Sequence, residues 1–280
     1  MTIHCYNHIT YEQYRLLPAI SQTDLKKAFE NPQLYYEQRI AKTRPADPET
    51  PSQKWGKRME AWLRGFRGID VVVIPAEVLN EQGHRKGKAW NDFAEANEGK
   101  ELLKYSEWKE MYGGFESAEI NVEEHDAAYQ LVYSEHRKWS QRYVWDDEEF
   151  GLQLKCEIDI MDVELGSLVD VKTAADITPR GFESDLIGWG YDIQAAMYLR
   201  AASLAHPNID WLYSWVVICN KPPYHVEVYQ ASNALLDLGE QRLRYRAEAY
   251  KECVETGRWR TPTHGIVNEV YPPKWAMELV

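Results

Sequence analysis

Between residues 141 and 173 the chain holds three short stretches, QRYVWDD (141–147), LQLKCEIDIMDV (152–163) and SLVDVKT (167–173), that alternate or run apolar. The turn-like DDEEFG and ELGS separate them. Runs of this length bounded by turn residues read as strands, and such short connectors join antiparallel neighbours. An antiparallel meander is therefore predicted, and every other element must pack around it. A helical stretch follows over 179–205, then strands at 211–219 and 224–230 joined through NKPP. A long amphipathic helix over 232–257 closes the series, with Gly257 at its end. The order βββ-α-ββ-α predicts an α/β (α+β) fold, a central mixed sheet flanked by helices.

The first half reads differently. Residues 1–18 read as an irregular lead-in. ISQTDLKKAFENP then predicts a helix, with Ser21 as cap, Asp24 three residues on, and Pro32 beyond the end. AKTRPADPETPSQ (41–53) is Pro-rich and polar, a loop, and WGKRMEAWLRGF (55–66) is a second helix candidate. IDVVVIP (69–75) is a strand, and NEQGHRKGKAW (80–90) a basic, glycine-punctuated loop. Residues 89–137 read as mainly helical, with breaks at Gly99 and at Gly113-Gly114. No linker or repeat divides the chain, so one domain over 1–280 is expected: a mainly helical part (1–140), a sheet-and-helix core (141–260) and a tail (261–280).

Composition excludes several classes. A net charge of −12 over 280 residues argues against coating nucleic acid by bulk charge, though not against a local basic channel. No run of 18 apolar residues is present, so no membrane span is expected, and MTIHCYNHITYEQ lacks a signal pattern. Cys5, Cys156, Cys219 and Cys253 form no metal-ligand spacing and fit buried thiols in a reducing cytoplasm. The eight histidines show no such spacing either.

The charges inside the third strand raise the chemical question. Alternation puts Asp170 and Lys172 on one face of it and Val169 and Val171 on the other. The same rule puts Glu157 and Asp159 on one face of the preceding strand, opposite Cys156, Ile158 and Ile160. If the two strands pair across ELGS, Asp159 and Asp170 converge. Two carboxylates buried together need a cation, and hard oxygen ligands suit Mg²⁺, with Mn²⁺ as a substitute. Lys172 would then orient a water or stabilise charge on a phosphate. The alternative is that the two charges are solvated or form a cross-strand ion pair that contributes little. On the helix GWGYDIQAAMYL, Gln194 and Tyr198 stand four residues apart, on one face.

The run LKCEIDIMDVELGSLVDVKTAADITPRGF, continued by YDIQAAMYL, resembles the PD-(D/E)XK nuclease signature, and most closely the phage-type RecE recombination exonucleases. That family has an acid on one strand, D-V-K-T on the next, then a helix carrying H-x-Q-x-x-x-Y. Asp159, Asp170, Lys172, Gln194 and Tyr198 fall on those positions. Glu157 stands where a basic residue is common. ISQTDLKKAFENPQLYY resembles the family's opening helix, and GRWRTPTHGIVNEVYPPKWA its closing tail. Where the family has G-x-x-x-H, this chain has GKRME, so Glu60 replaces the histidine.

The resemblance implies a nuclease domain with Mg²⁺ held by Asp159, Asp170, the Val171 carbonyl and Glu60. Lys172 would position the attacking water, and Gln194 and Tyr198 would contact the DNA backbone. It also implies 5′ to 3′ digestion of linear double-stranded DNA in the cytoplasm of a bacterial host. The 3′ strands would pass to an annealing recombinase, and the enzyme would assemble as a ring-shaped homo-oligomer. Arg85, Lys86 and Lys88 form the best basic loop for further backbone contacts. An endonuclease on the same fold, or a silent module binding DNA or a partner, are the alternatives.

Overall fold

The structure is a computed structural model that describes residues 2–67, 71–260, 264–267 and 269–272. It opens on a short strand, β1 (Ile3–Cys5), and a helix, α1 (Tyr11–Leu16), where an irregular lead-in was expected. Three apolar-to-polar alternations are too few to announce a strand. β1 exists because the strand Lys138–Asp147 offers it an edge. Then come α2 (Gln22–Glu30), α3 (Pro32–Tyr35) and α4 (Pro51–Leu63). Ser21 accepts from the Asp24 N–H and donates to its carboxylate at 2.5 Å, the expected cap. A small parallel pair, β2 (Val71–Val73) and β3 (Glu101–Leu103), flanks α5 (Lys88–Ala96). Residues 69 and 70 of the expected strand lie outside the described residues.

Two helices, α6 (Tyr105–Glu124) and α7 (Asp126–Tyr133), complete the first half. The predicted break at Gly113-Gly114 does not occur. α6 runs through it, because Gly114 lies where a Cβ would meet the Tyr224 hydroxyl at 2.8 Å. The glycine marks a close approach to a neighbour, not a turn.

The meander is present as β4 (Lys138–Asp147), β5 (Leu152–Asp162) and β6 (Ser167–Ala174). α8 (Pro179–Trp189) and α9 (Tyr191–Ala205) split the expected single helix at Gly190, whose φ is +76°. They cross over to β7 (Leu212–Cys219), which pairs with β6 in parallel. β8 (Val226–Gln230) returns antiparallel, and α10 (Asn233–Thr256) ends at Gly257 with φ +66°. The sheet order is β1-β4-β5-β6-β7-β8, a mixed six-stranded sheet.

Helices cover both faces. On one face α2, α9 and α10 bury Leu25, Met197, Ala201 and Leu243 against Trp145, Ile158, Leu168 and Trp215. On the other α4, α6 and α7 bury Met59, Phe115 and Val132 against Ile160, Val169, Val171 and Val216. Of the tail, Trp259 packs on Tyr35, Tyr36 and Tyr250. Residues 261–263, 268 and 273–280 of the family-like tail lie outside the described residues.

Candidate active site

The site begins with a failure of alternation. Ile158 packs under α9, but Ile160 packs on the opposite face with α4 and α7. The expectation that Cys156, Ile158 and Ile160 share a face is therefore corrected. Both strands of the β4–β5 pair turn over between these residues. Gln141 pairs with Ile158 and Trp139 with Ile160, while Ser140, at φ +53°, stands between them without a partner. A non-glycine residue in the left-handed region is a strained feature that the surrounding pairing must hold. Its effect is to aim the intervening Asp159 sideways, at β6.

β5 and β6 then part. Their pairing runs from Asp162↔Ser167 to Ile160↔Val169 and ends there. Further along, β5 pairs instead with Ile20, in the segment leading to α2. Asp159 and Asp170 stand at the fork. Asp159 Oδ2 accepts from the Val171 N–H at 3.2 Å. In a strand the N–H and C=O of one residue point to the same side, so the Val171 carbonyl also faces the fork.

Asp170 is fully buried. Gln194 of α9 donates to its Oδ1 at 2.9 Å, and Lys172 Nζ lies 2.5 Å from its Oδ2. The Lys172 ammonium also lies 4.6 Å from the centre of the Tyr191 ring. Gln194 also reaches the Tyr198 hydroxyl at 2.8 Å. Tyr198 is buried beneath Gln194, against Tyr213. It supports the site from below, through its hydroxyl at Gln194. Glu60 comes from α4 on the other face. Gly56, one turn earlier, lets α4 lie against β6: a Cβ there would meet Thr173 Oγ1 at 2.9 Å.

The electrostatics follow from this crowding. Burial first, then Asp170 and Glu60, raise the Asp159 carboxyl well above the usual range, against Lys172 and the Val171 N–H. Burial also raises Glu60, with Glu157 and Asp170 adding to it and Arg64 opposing. Burial pulls Lys172 down, but Asp170 and Asp159 outweigh it and hold the ammonium above the ordinary lysine range. With every carboxyl ionised, Glu60, Asp159 and Asp170 would carry one negative charge more than Lys172 and Arg64 balance, a surplus that a proton on Asp159 or a bound cation would relieve. Hard oxygen donors with surplus charge fit a divalent cation. Among the described residues no three acidic, His or Cys side chains already stand as a metal-ligating group. The reason is visible at Asp170, where Gln194 and Lys172 occupy one oxygen each.

The fork therefore brings together Glu60, Asp159, Asp170, Val171, Lys172, Gln194 and Tyr198. The basic loop is a separate feature. Lys86 and Lys88 are exposed, and Arg85 is committed to the Leu102 carbonyl and to Glu107. The sequence reading missed Tyr191, Arg64 and the Arg142–Glu157 pair (3.2 Å). Tyr191 had a signal, since 191, 194 and 198 lie on one helical face. Arg64 had one too, standing four residues after Glu60 on the predicted helix, and the Arg142–Glu157 pair had none.

A mixed sheet with two strands parting over paired aspartates and a lysine on the second is the architecture of the PD-(D/E)XK nuclease superfamily. The profile of the family described as "PDDEXK-like domain of unknown function (DUF3799)" matches residues 78–266, and the chain belongs to that family. Glu60 lies outside the matched span. Among solved structures, the chain is similar to a protein of Eubacterium rectale described as a "Putative exonuclease". The TM-score is 0.62 at 15% identity, covering 99% of this chain and 98% of that one. No curated protein matches the chain. Among the described residues no helix is long and apolar enough to cross a membrane.

Proposed function

We propose that the chain is a metal-dependent exodeoxyribonuclease that digests linear double-stranded DNA. The single observation that carries this reading is the fork, where Asp159 and Asp170 meet beside Lys172. Asp159, Asp170, the Val171 carbonyl and Glu60 would hold Mg²⁺ or Mn²⁺. Such an ion supplies a Lewis acid for a phosphoryl oxygen and a lowered pKa for water.

The chain's own residues divide the remaining work. Gln194 holds the Asp170 carboxylate, and Tyr198 holds Gln194. Lys172, now on Asp170 Oδ2, would give up that contact for the carboxylate to hold a cation. The Tyr191 ring keeps the freed ammonium close to the fork, where it orients a water or meets charge on the phosphate. Lys86 and Lys88 would add contacts to the DNA backbone, joined by Arg85 on exchanging its Glu107 partner for a phosphate.

The finer reading draws on the RecE-like resemblance. It is 5′ to 3′ polarity, 3′ strands delivered to an annealing recombinase, a ring of identical subunits, and a bacterial cytoplasmic setting. The Eubacterium rectale neighbour supports the exonuclease class by its description alone. The test uses linear duplex labelled at the 5′ or 3′ end, beside a closed circle, in Mg²⁺. Early release of the 5′ label with the circle intact, and silence of Lys172→Ala, is the expected result. Cutting of the circle would replace exonuclease by endonuclease. No cutting in either metal would leave a DNA- or partner-binding module.

A further inference from the structure

The junction of α8 and α9 carries a second charged site, on the side turned to α2 and α10. Lys26 of α2 and Arg242 and Arg246 of α10 gather around it. Lys26 Nζ donates to the Trp189 carbonyl at 3.0 Å and lies 4.8 Å from the centre of that residue's ring. Arg242 donates to the Ile187 carbonyl at 3.2 Å and to Asp192 Oδ2 at 2.6 Å. These bonds satisfy carbonyls at the end of α8, which is sufficient reason for Lys26 and Arg242.

That reason does not extend to Arg246. It is 6% exposed, yet its Nη1 has no hydrogen-bond partner. The same atom lies 3.4 Å from where a Cβ would stand on Gly190. A buried guanidinium nitrogen without an acceptor is costly, and Asp192 Oδ1 in the same cluster also lacks a partner, while the Arg246 side chain lines the cleft beside it. Glu30 and Asp192 are the carboxylates that act on this group. They leave the three cations one charge short of balance.

A cleft of about 350 Å³ opens beside it, lined by Phe29, Arg242, Tyr245 and Arg246 among others. Its surroundings are aromatic and open to solvent: Trp189 is 57% exposed and Tyr245 61%. Cations interleaved with exposed rings suit a single nucleic-acid strand, whose phosphates seek charge and whose bases seek faces to stack on. The place also fits. Tyr191, whose ring meets Lys172, directly follows Gly190.

We propose that this cleft is a subsite for a single DNA strand beside the fork. Arg246, Arg242 and Lys26 hold a backbone phosphate, and Trp189 or Tyr245 stacks on a base. The assignment rests on the nuclease reading, since Tyr191 ties this junction to Lys172.

The test titrates the full chain in EDTA with a fluorescein-labelled single-stranded oligothymidylate, read by anisotropy over a range of salt. Loss of the phosphate contact and the stacking face in Lys26→Gln/Trp189→Ala weakens binding by about tenfold. The same variant lowers the slope of log K against log salt by about 0.7, one phosphate contact on a single strand. Arg246→Gln weakens binding too, in protein whose circular dichroism matches wild type. Wild-type affinity and slope in the double variant would overturn the subsite. So would displacement of the oligonucleotide by inorganic phosphate as efficiently as by unlabelled oligothymidylate, which would define a bare anion site. The nuclease reading fails on a different measurement, the absence of duplex digestion in Mg²⁺ or Mn²⁺, and the binding isotherms are read without it.

Discussion

At the scale of the residue, Asp170 decides how the site rests and how it acts. Its carboxylate is buried, and its two oxygens are met by Gln194 and Lys172. Breaking a buried pair from one side is expensive. Lys172→Met should lower stability by about 3–5 kcal/mol in urea unfolding, and Asp170→Asn/Lys172→Met should recover most of it. A single variant as stable as wild type would show that the pair carries no such strain. Asp159 has the opposite sign. Its folded carboxyl holds a proton to higher pH than the unfolded one, so stability falls as pH rises from the ordinary carboxylate range through the raised value. Asp159→Asn removes that fall. In EDTA at pH 7 its Tm should exceed wild type by about 2–4 °C. In Mg²⁺ the same variant should lose activity by about a thousandfold, a loss typical of removing one preorganised charge-stabilising group.

Elements fix where those residues stand. α9 carries Tyr191, Gln194 and Tyr198, and its position is set by α10. Gly239 of α10 lies where a Cβ would fall 2.3 Å from the Asp192 carbonyl oxygen, a backbone atom that cannot step aside. Gly239→Ala should therefore push the two helices apart and cost about 1–3 kcal/mol, despite the better helix propensity of alanine. Thermal unfolding with a parallel digestion assay checks both effects, since a displaced α9 also displaces Gln194. An unchanged Tm would place the helices farther apart than described here. β5 is fixed from its other end by Lys155. Its buried ammonium donates to the carbonyls of Arg15 at 3.1 Å, in the last turn of α1, and of Leu17 at 2.7 Å, the residue that ends it. That bond ties the lead-in to the strand and helps wedge residues 17–21 into the fork.

For the whole molecule, the two helical layers converge on one seam in the sheet. α4 brings Glu60 from one face, α9 brings Gln194 from the other, and the strands bring the aspartates between them. The surplus negative charge at this seam makes folding and cation binding linked. Mg²⁺ at about a hundred times its Kd should add about 2.7 kcal/mol to the unfolding free energy. Asp159→Asn/Asp170→Asn should show no such gain in a thermal shift series over Mg²⁺ concentration. An equal gain in both proteins would put the cation elsewhere.

Local signals carried the sequence reading far. Alternation and turn residues showed β4, β5 and β6 as a meander. The Ser21 cap, Pro32 and Gly257 bounded helices that exist as expected. The D-V-K-T run with the Gln194 helix pointed to the right superfamily. These features depend on neighbours in the chain, so periodicity and capping reveal them. The rest depended on neighbours in space. β1 forms because β4 has a free edge. Gly114 is a glycine inside a helix because Tyr224 packs against it. Ile158 and Ile160 part because Ser140 on the next strand adopts a left-handed backbone, and that twist is what aims Asp159 into the fork. Tyr198 is hidden because α9 lies flat on the sheet, and Nη1 of Arg246 is left without an acceptor where its side chain comes against Gly190. The chain alone determined which residue types the site contains and in what order. Only tertiary packing, through strand pairing and the burial of charge, decided which of them touch.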